Sequence, residues 1–137
     1  MLTMKTNYLE TLPGFLFFFG IALMLLAVFT AIYVWITPHK EFTLIRAGNA
    51  AAATSFAGAI IGFVIPLASV IANSLNIIDM LVWGAIAMVA QIAVFAVARV
   101  LMPDLLKAIE AGQIAPAAML AAFSLAIGIL NAACMTY

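Results

Sequence analysis

The residues of this chain that could do chemistry are few and far apart. There is one histidine, His39, and one cysteine, Cys134. A zinc site takes three or four nitrogen, sulfur or carboxylate ligands, which this pair cannot supply within one protomer. Cys134 would need a neighbouring base to hold a thiolate, and His39 belongs to the other membrane face in the organisation derived below. Ser55, Ser69 and Ser124 lack a histidine or aspartate partner that would activate a hydroxyl. The carboxylates Glu10, Glu41, Asp79, Asp104 and Glu110 all border apolar runs. The intramembrane acid on which a proton-coupled pump depends is therefore missing. No phosphate-cradling glycine loop is visible. The chain reads as nonenzymatic, with no metal and no cofactor.

What remains is amide and hydroxyl chemistry inside apolar runs. Gln91 stands midway along one run, on a helical face with Gly84, Ala87 and Ala98. An amide unpaired in hydrocarbon is costly, so Gln91 is expected to point inward, either as an interhelical hydrogen bond or as part of a substrate site. Pro66 has no N–H to offer the carbonyl of Gly62, which predicts a kink or an open turn. Gly62, Pro66, Ser69 and Asn73, with Asn131, could line a polar pocket opening outward. Alternatively, Pro66 is one of the prolines that spanning helices ordinarily tolerate.

The elements that must position these groups follow from composition. The 137 residues are 69% hydrophobic and 7% charged, with mean hydropathy +1.31, whereas soluble domains carry about 25% charged residues. A formal net charge of zero without a basic cluster excludes nucleic acid as a partner. Four apolar segments, Pro13 to Thr37, Asn49 to Ala72, Asp79 to Met102 and Ile114 to Met135, are each long enough to cross a core of about 30 Å at about 1.5 Å per residue. The expected fold is an all-α membrane protein, one membrane domain over residues 1–137, with four transmembrane helices and the lipid bilayer as its first partner. The first run exceeds the roughly 7 to 15 residues of a signal-peptide core and no A-x-A site follows it. It is read as a span that is kept.

Lysine and arginine near the span ends set orientation. Lys40 and Arg46 flank the first loop and Arg99 and Lys107 the third, against Lys5 alone on the other side. Loops 38–48 and 103–112 are thus expected in the cytoplasm and both termini in the periplasm. Tyr33 and Trp35 at the inner side, and Tyr8, Trp83 and Tyr137 at the outer, are expected as interfacial anchors. Arg99 can snorkel to the inner headgroups.

Polar punctuation occurs twice. "IRAGNAAAA" at 45–53 nearly returns as "IEAGQIAPA" at 109–117, pairing Ile45 with Ile109, Gly48 with Gly112 and Asn49 with Gln113. Upstream, Pro38 corresponds to Pro103 after a one-residue slip. Each copy reads as a proline, a short amphipathic segment, a glycine able to end it in the left-handed conformation, and an amide opening the next span. Gln113 is the poorer cap, and Pro116 falls within the first turn, where a missing N–H costs little. The pattern predicts two tandem helical hairpins, about 13–72 and 79–135, around a pseudo-two-fold along the membrane normal, as in parallel-repeat transporters. Arg46 is then equivalent to Glu110. The two either pair at the cytoplasmic face or stand as independent solvated charges, a contact of little worth when exposed.

Contact between spans needs small side chains, because lipid is as apolar as leucine. The second span carries a small stripe through Ala51, Ser55, Gly58, Gly62, Pro66, Ser69 and Asn73. The fourth is small on two faces, Ala118, Ala122 and Ala126 on one and Ala117, Ala121, Ser124, Gly128 and Asn131 on the other. Gly58, Gly62, Ala122, Ser124 and Gly128 are the expected packing residues. The fourth span is expected to be the most enclosed, with the bulkier first and third flanking the pair toward lipid.

The run "LIRAGNAAAATSFAGAIIGFVIPLAS", then "MLVWG" and the ending "GILNAACMTY", resembles the YjfL-like family of small bacterial inner-membrane proteins, a family of unknown function. The resemblance covers nearly the whole chain. It implies four spans in the bacterial inner membrane and an internally duplicated fold. Members often accompany genes for phage-shock-like membrane-remodelling proteins and glutathionylspermidine-synthase-like ligases, which implies a part in envelope maintenance or stress response. Gly48, Asn49, Pro66, Gly112, Asn131 and Cys134 carry over without assigned chemistry, and Gln113 departs from the family's usual Asn. Two functions remain open. One is a nonenzymatic component that docks a peripheral cytoplasmic membrane-stress protein through Arg46, Gly48, Asn49, Glu110, Gly112 and Gln113, with homodimerisation allowed. The other is a small channel or facilitator along Gln91, Pro66, Ser69, Asn73 and Asn131.

Overall fold

The computed structural model describes residues 2–37, 41–73 and 76–135, with side chains from residue 11 onward. Pro38, His39, Lys40 and Tyr137, and the side chains of Lys5, Tyr8 and Glu10, lie outside the described residues. Six helices follow one another: α1 Leu2–Ile36, α2 Glu41–Arg46, α3 Ala50–Asn73, α4 Ile77–Leu101, α5 Leu105–Glu110 and α6 Ile114–Cys134. Four of them, α1, α3, α4 and α6, are long and apolar enough to cross a membrane. The ends of α3, α4 and α6 fall within two residues of those expected.

The first helix differs. It begins at Leu2, so Pro13 lies inside it rather than opening it. Proline at 13 leaves the carbonyl of Leu9 without its helical partner. The helix nonetheless runs through from Leu2.

At the centre, α3 and α6 run side by side in the same direction, since Gly58 faces Ala121 and Ser69 reaches Ala132. Their backbones nearly touch. A Cβ added to Gly58 would lie 2.5 Å from Cα of Ala121, one on Gly62 would lie 2.5 Å from the Ser124 carbonyl oxygen, and one on Gly128 would collide with the Gly62 backbone. Close approach of this kind is how helices associate where no hydrophobic drive exists.

The enclosure of α6 was expected to be greatest and is not. Half of the membrane window of α3 is buried, against 39% for α4, 22% for α6 and 17% for α1. Only the Ala117, Ala121, Ser124 and Gly128 face of α6 meets α3, while Ala118, Ala122 and Ala126 are exposed. Two small faces made α6 look enclosed, but only one finds a neighbour, and Ala122 is not a packing residue. α3 is covered on more sides because its opposite face carries Phe56 and Phe63 into an aromatic cluster. Phe29 of α1 stacks on Phe63 at 4.5 Å, and Tyr33 lies 5.9 Å from Phe56 and 5.5 Å from Phe95 of α4. Tyr33 is therefore 1% exposed and belongs to the core, not to an interfacial belt, while Trp35 is 85% exposed. The spacing of Ala22, Leu25, Phe29 and Tyr33 places all four on the buried face of α1.

Candidate functional site

Gln91 lies where three spanning helices meet. It is 1% exposed, and its Nε2 donates to the carbonyls of Gly62 on α3 and Ser124 on α6, both at 3.0 Å. The Gly62 carbonyl is the one that Pro66 leaves without a helical partner, so a side chain of α4 takes the place of the missing N–H. The amide thus fastens α4 to the α3–α6 crossing at its tightest point. Its Oε1 is buried with no hydrogen-bond partner among the described residues, as is Nδ2 of Asn131.

The other polar residues of the expected pocket are engaged between or within helices. Ser69 Oγ donates to the Ala132 carbonyl of α6 at 3.3 Å. Asn73 is exposed at the end of α3 and donates back to the Ser69 carbonyl at 2.8 Å. Pro66 is buried within α3. A cavity of about 460 Å³ lies elsewhere, as an apolar cleft between α4 and α6 lined by Ala90, Ala93, Val97 and Leu101 on one wall and Phe123 and Ala126 on the other.

The two hinges share one geometry. Gly48 and Gly112 both have positive φ, 89° and 81°. Gly48 N–H bonds the Ile45 carbonyl and Asn49 N–H that of Leu44, just as Gly112 N–H bonds Ile109 and Gln113 N–H bonds Ala108. These are two Schellman endings at equivalent sequence positions. Their caps differ. Asn49 Oδ1 accepts the Ala52 N–H at 3.0 Å, capping α3, whereas Gln113 makes no capping bond to α6. Asn49 does more: its Nδ2 donates to the carbonyls of Ile109 at 2.8 Å and Glu110 at 3.3 Å. These are carbonyls of the last turn of α5, which a helix end leaves short of partners. One side chain therefore ties the first hinge to the second. Arg46 and Glu110 both stand exposed, and the link between hinges is made by Asn49.

Sequence reasoning placed Glu41 in an inner loop, but it is fully buried in the first turn of α2. A periodicity signal existed: Leu44 and Ile45 lie three and four residues on, so Glu41 shares the apolar face of α2. Cys134 is free and exposed. No group of three or more histidine, cysteine or carboxylate side chains that could hold a metal occurs among the described residues.

Comparison with known proteins agrees with the architecture. Residues 7–135 match a family model described as a domain of unknown function, DUF350. The chain is 42% identical over 131 residues to the UPF0719 inner membrane protein YjfL of Escherichia coli K12, covering 96% of this chain and 99% of the relative, and equally to its counterpart in Escherichia coli O157:H7. No solved structure matches. With four apolar helices, a family match over nearly its whole length and an inner-membrane relative of the same span, the chain belongs to the DUF350, or UPF0719, family of inner membrane proteins.

Proposed function

We propose that this protein is a nonenzymatic inner-membrane component that presents α2 and α5 as one paired platform to a peripheral cytoplasmic protein. The observation that carries this reading is the Asn49 cross-brace. It ties the end of α5 to the hinge between α2 and α3, so the two short helices leave the bundle at the same end. The platform faces the cytoplasm, with both termini periplasmic, because the cations of loops 38–48 and 103–112 outnumber those opposite. Placement in an envelope-maintenance or stress module follows from the family resemblance. The two equivalent hinges and the parallel α3–α6 pair support a duplicated helical hairpin about a pseudo-two-fold along the membrane normal, and homodimerisation is compatible with it. The test is capture of partners from gently solubilised membranes, comparing the natural chain with Arg46→Glu, Lys107→Glu and Glu110→Lys combined. Loss of specific partners is expected, and the same set of partners in both would refute docking.

A second reading, a small channel or facilitator, is favoured by two buried polar atoms without partners among the described residues, Gln91 Oε1 and Asn131 Nδ2. A solute with complementary donors and acceptors would satisfy both. Flux into liposomes that is lost with Gln91→Leu and Asn131→Leu would support it, and absence of flux for any tested ion or small solute would remove it.

A further inference from the structure

We propose that the cleft between α4 and α6 binds one acyl chain of a bilayer phospholipid, as a site distinct from freely exchanging boundary lipid. The cleft holds about 460 Å³, and both of its walls belong to helices long and apolar enough to cross a membrane. Its lining of alanine, valine, leucine and phenylalanine offers nothing to a water, which needs roughly two to four polar partners. Left empty, it would forfeit the dispersion contacts of every side chain along it. It is continuous with the surface that lipid already covers, since Val89, Val100 and Leu101 of α4 and Leu130 of α6 are exposed large apolar side chains around it. Hydrocarbon is thus the occupant that chemistry and access both select.

Depth selects a single chain. From Ala90 to Leu101 the α4 wall runs about 16 Å along the helix axis, which is the depth of one leaflet in a core of about 30 Å. One end lies beside Gln91 at the helix junction, where α4 is fastened to α3 and α6. The other end lies where α4 stops and α5 follows. A chain entering from that end lies along α4 up to the level of Ala90, where the lining ends. The charges near this end, Arg99, Asp104 and Lys107, are exposed and none of them lines the cleft, so the site reads the chain.

The test is native mass spectrometry of the full chain released from mild detergent after equilibration with phosphatidylethanolamine or phosphatidylglycerol. The natural chain is expected to retain one phospholipid of either kind. Ala93→Phe and Ala126→Phe combined fill the cleft from positions that are exposed, so they add no backbone collision. They are expected to cut retention about tenfold, while Val89→Phe, outside the cleft, leaves it unchanged. Equal retention by natural and filled chains would overturn the proposal. So would a natural dimer that the filled variant turns into monomer, because the occupant would then be a second copy.

Discussion

At the scale of single residues, the energetic weight falls on side chains that replace missing backbone partners. Gln91→Leu removes two hydrogen bonds and leaves the Gly62 carbonyl bare, so the unfolding free energy in detergent titration should fall by about 1 to 2 kcal/mol. Asn131→Leu should cost less, because its Nδ2 makes no bond to lose. Glycines divide the same way. Gly62→Ala meets the α6 backbone, which cannot yield, and is expected to cost about 1 to 3 kcal/mol or more through overpacking. Gly20→Ala, with nothing within 4 Å of its added carbon, should be neutral or slightly stabilising. Thermal melts of the two variants side by side check this. An inward Gln91 and a Gly62 carbonyl freed by Pro66 were each legible in the sequence, because unpaired polar groups are costly in hydrocarbon; that the one satisfies the other was not. Tyr33 and Glu41 were not read correctly. Aromatic and acidic residues near a span end fit an interfacial reading equally well, and only the approach of Phe29, Phe56 and Phe95 decides for burial.

Among the elements, the two hinges offer the sharpest contrast. Their backbones are alike, so Gly48→Ala and Gly112→Ala should each cost about 1 to 2 kcal/mol from left-handed strain alone. Their amides are not alike. Asn49→Ala loses the α3 cap, worth about 1 kcal/mol, together with the bonds to α5, whereas Gln113→Ala should change little. Equal damage from both amide substitutions in a detergent unfolding assay would contradict the cross-brace. The spans were legible from length and hydropathy, and the left-handed glycines from the repeat. The start of α1 was not, because proline is cheapest in the first turn of a helix and Pro13 reads as an opener, whereas the helix begins at Leu2. Nor was the enclosure of α6, whose small residues line two faces while composition alone cannot say which face has a neighbour.

For the whole molecule, the architecture is a tight parallel pair, α3 and α6, to which α4 is fastened by one amide and α1 by an aromatic cluster. α1 carries Leu12, Phe15, Leu16, Phe17 and Phe19 exposed along its first half, which suits lipid contact and leaves the internal contacts of α1 to its second half. The cleft on one side and the braced hinges at one end are consequences of how α4 and α5 leave that central pair. The most direct test of the central pair is disulfide formation in native membranes between Ser69→Cys and Ala132→Cys, in a chain carrying Cys134→Ser. Their present side-chain to backbone contact of 3.3 Å brings the two positions close enough for an intrachain bond, which requires Cα atoms about 4.4 to 6.8 Å apart. Rapid and nearly complete cross-linking within one chain is expected. If that pair stays reduced while Ser69→Cys with Ala133→Cys, on the exposed face of α6 at the same level, cross-links, the wrong face of α6 has been assigned to α3 and the account fails.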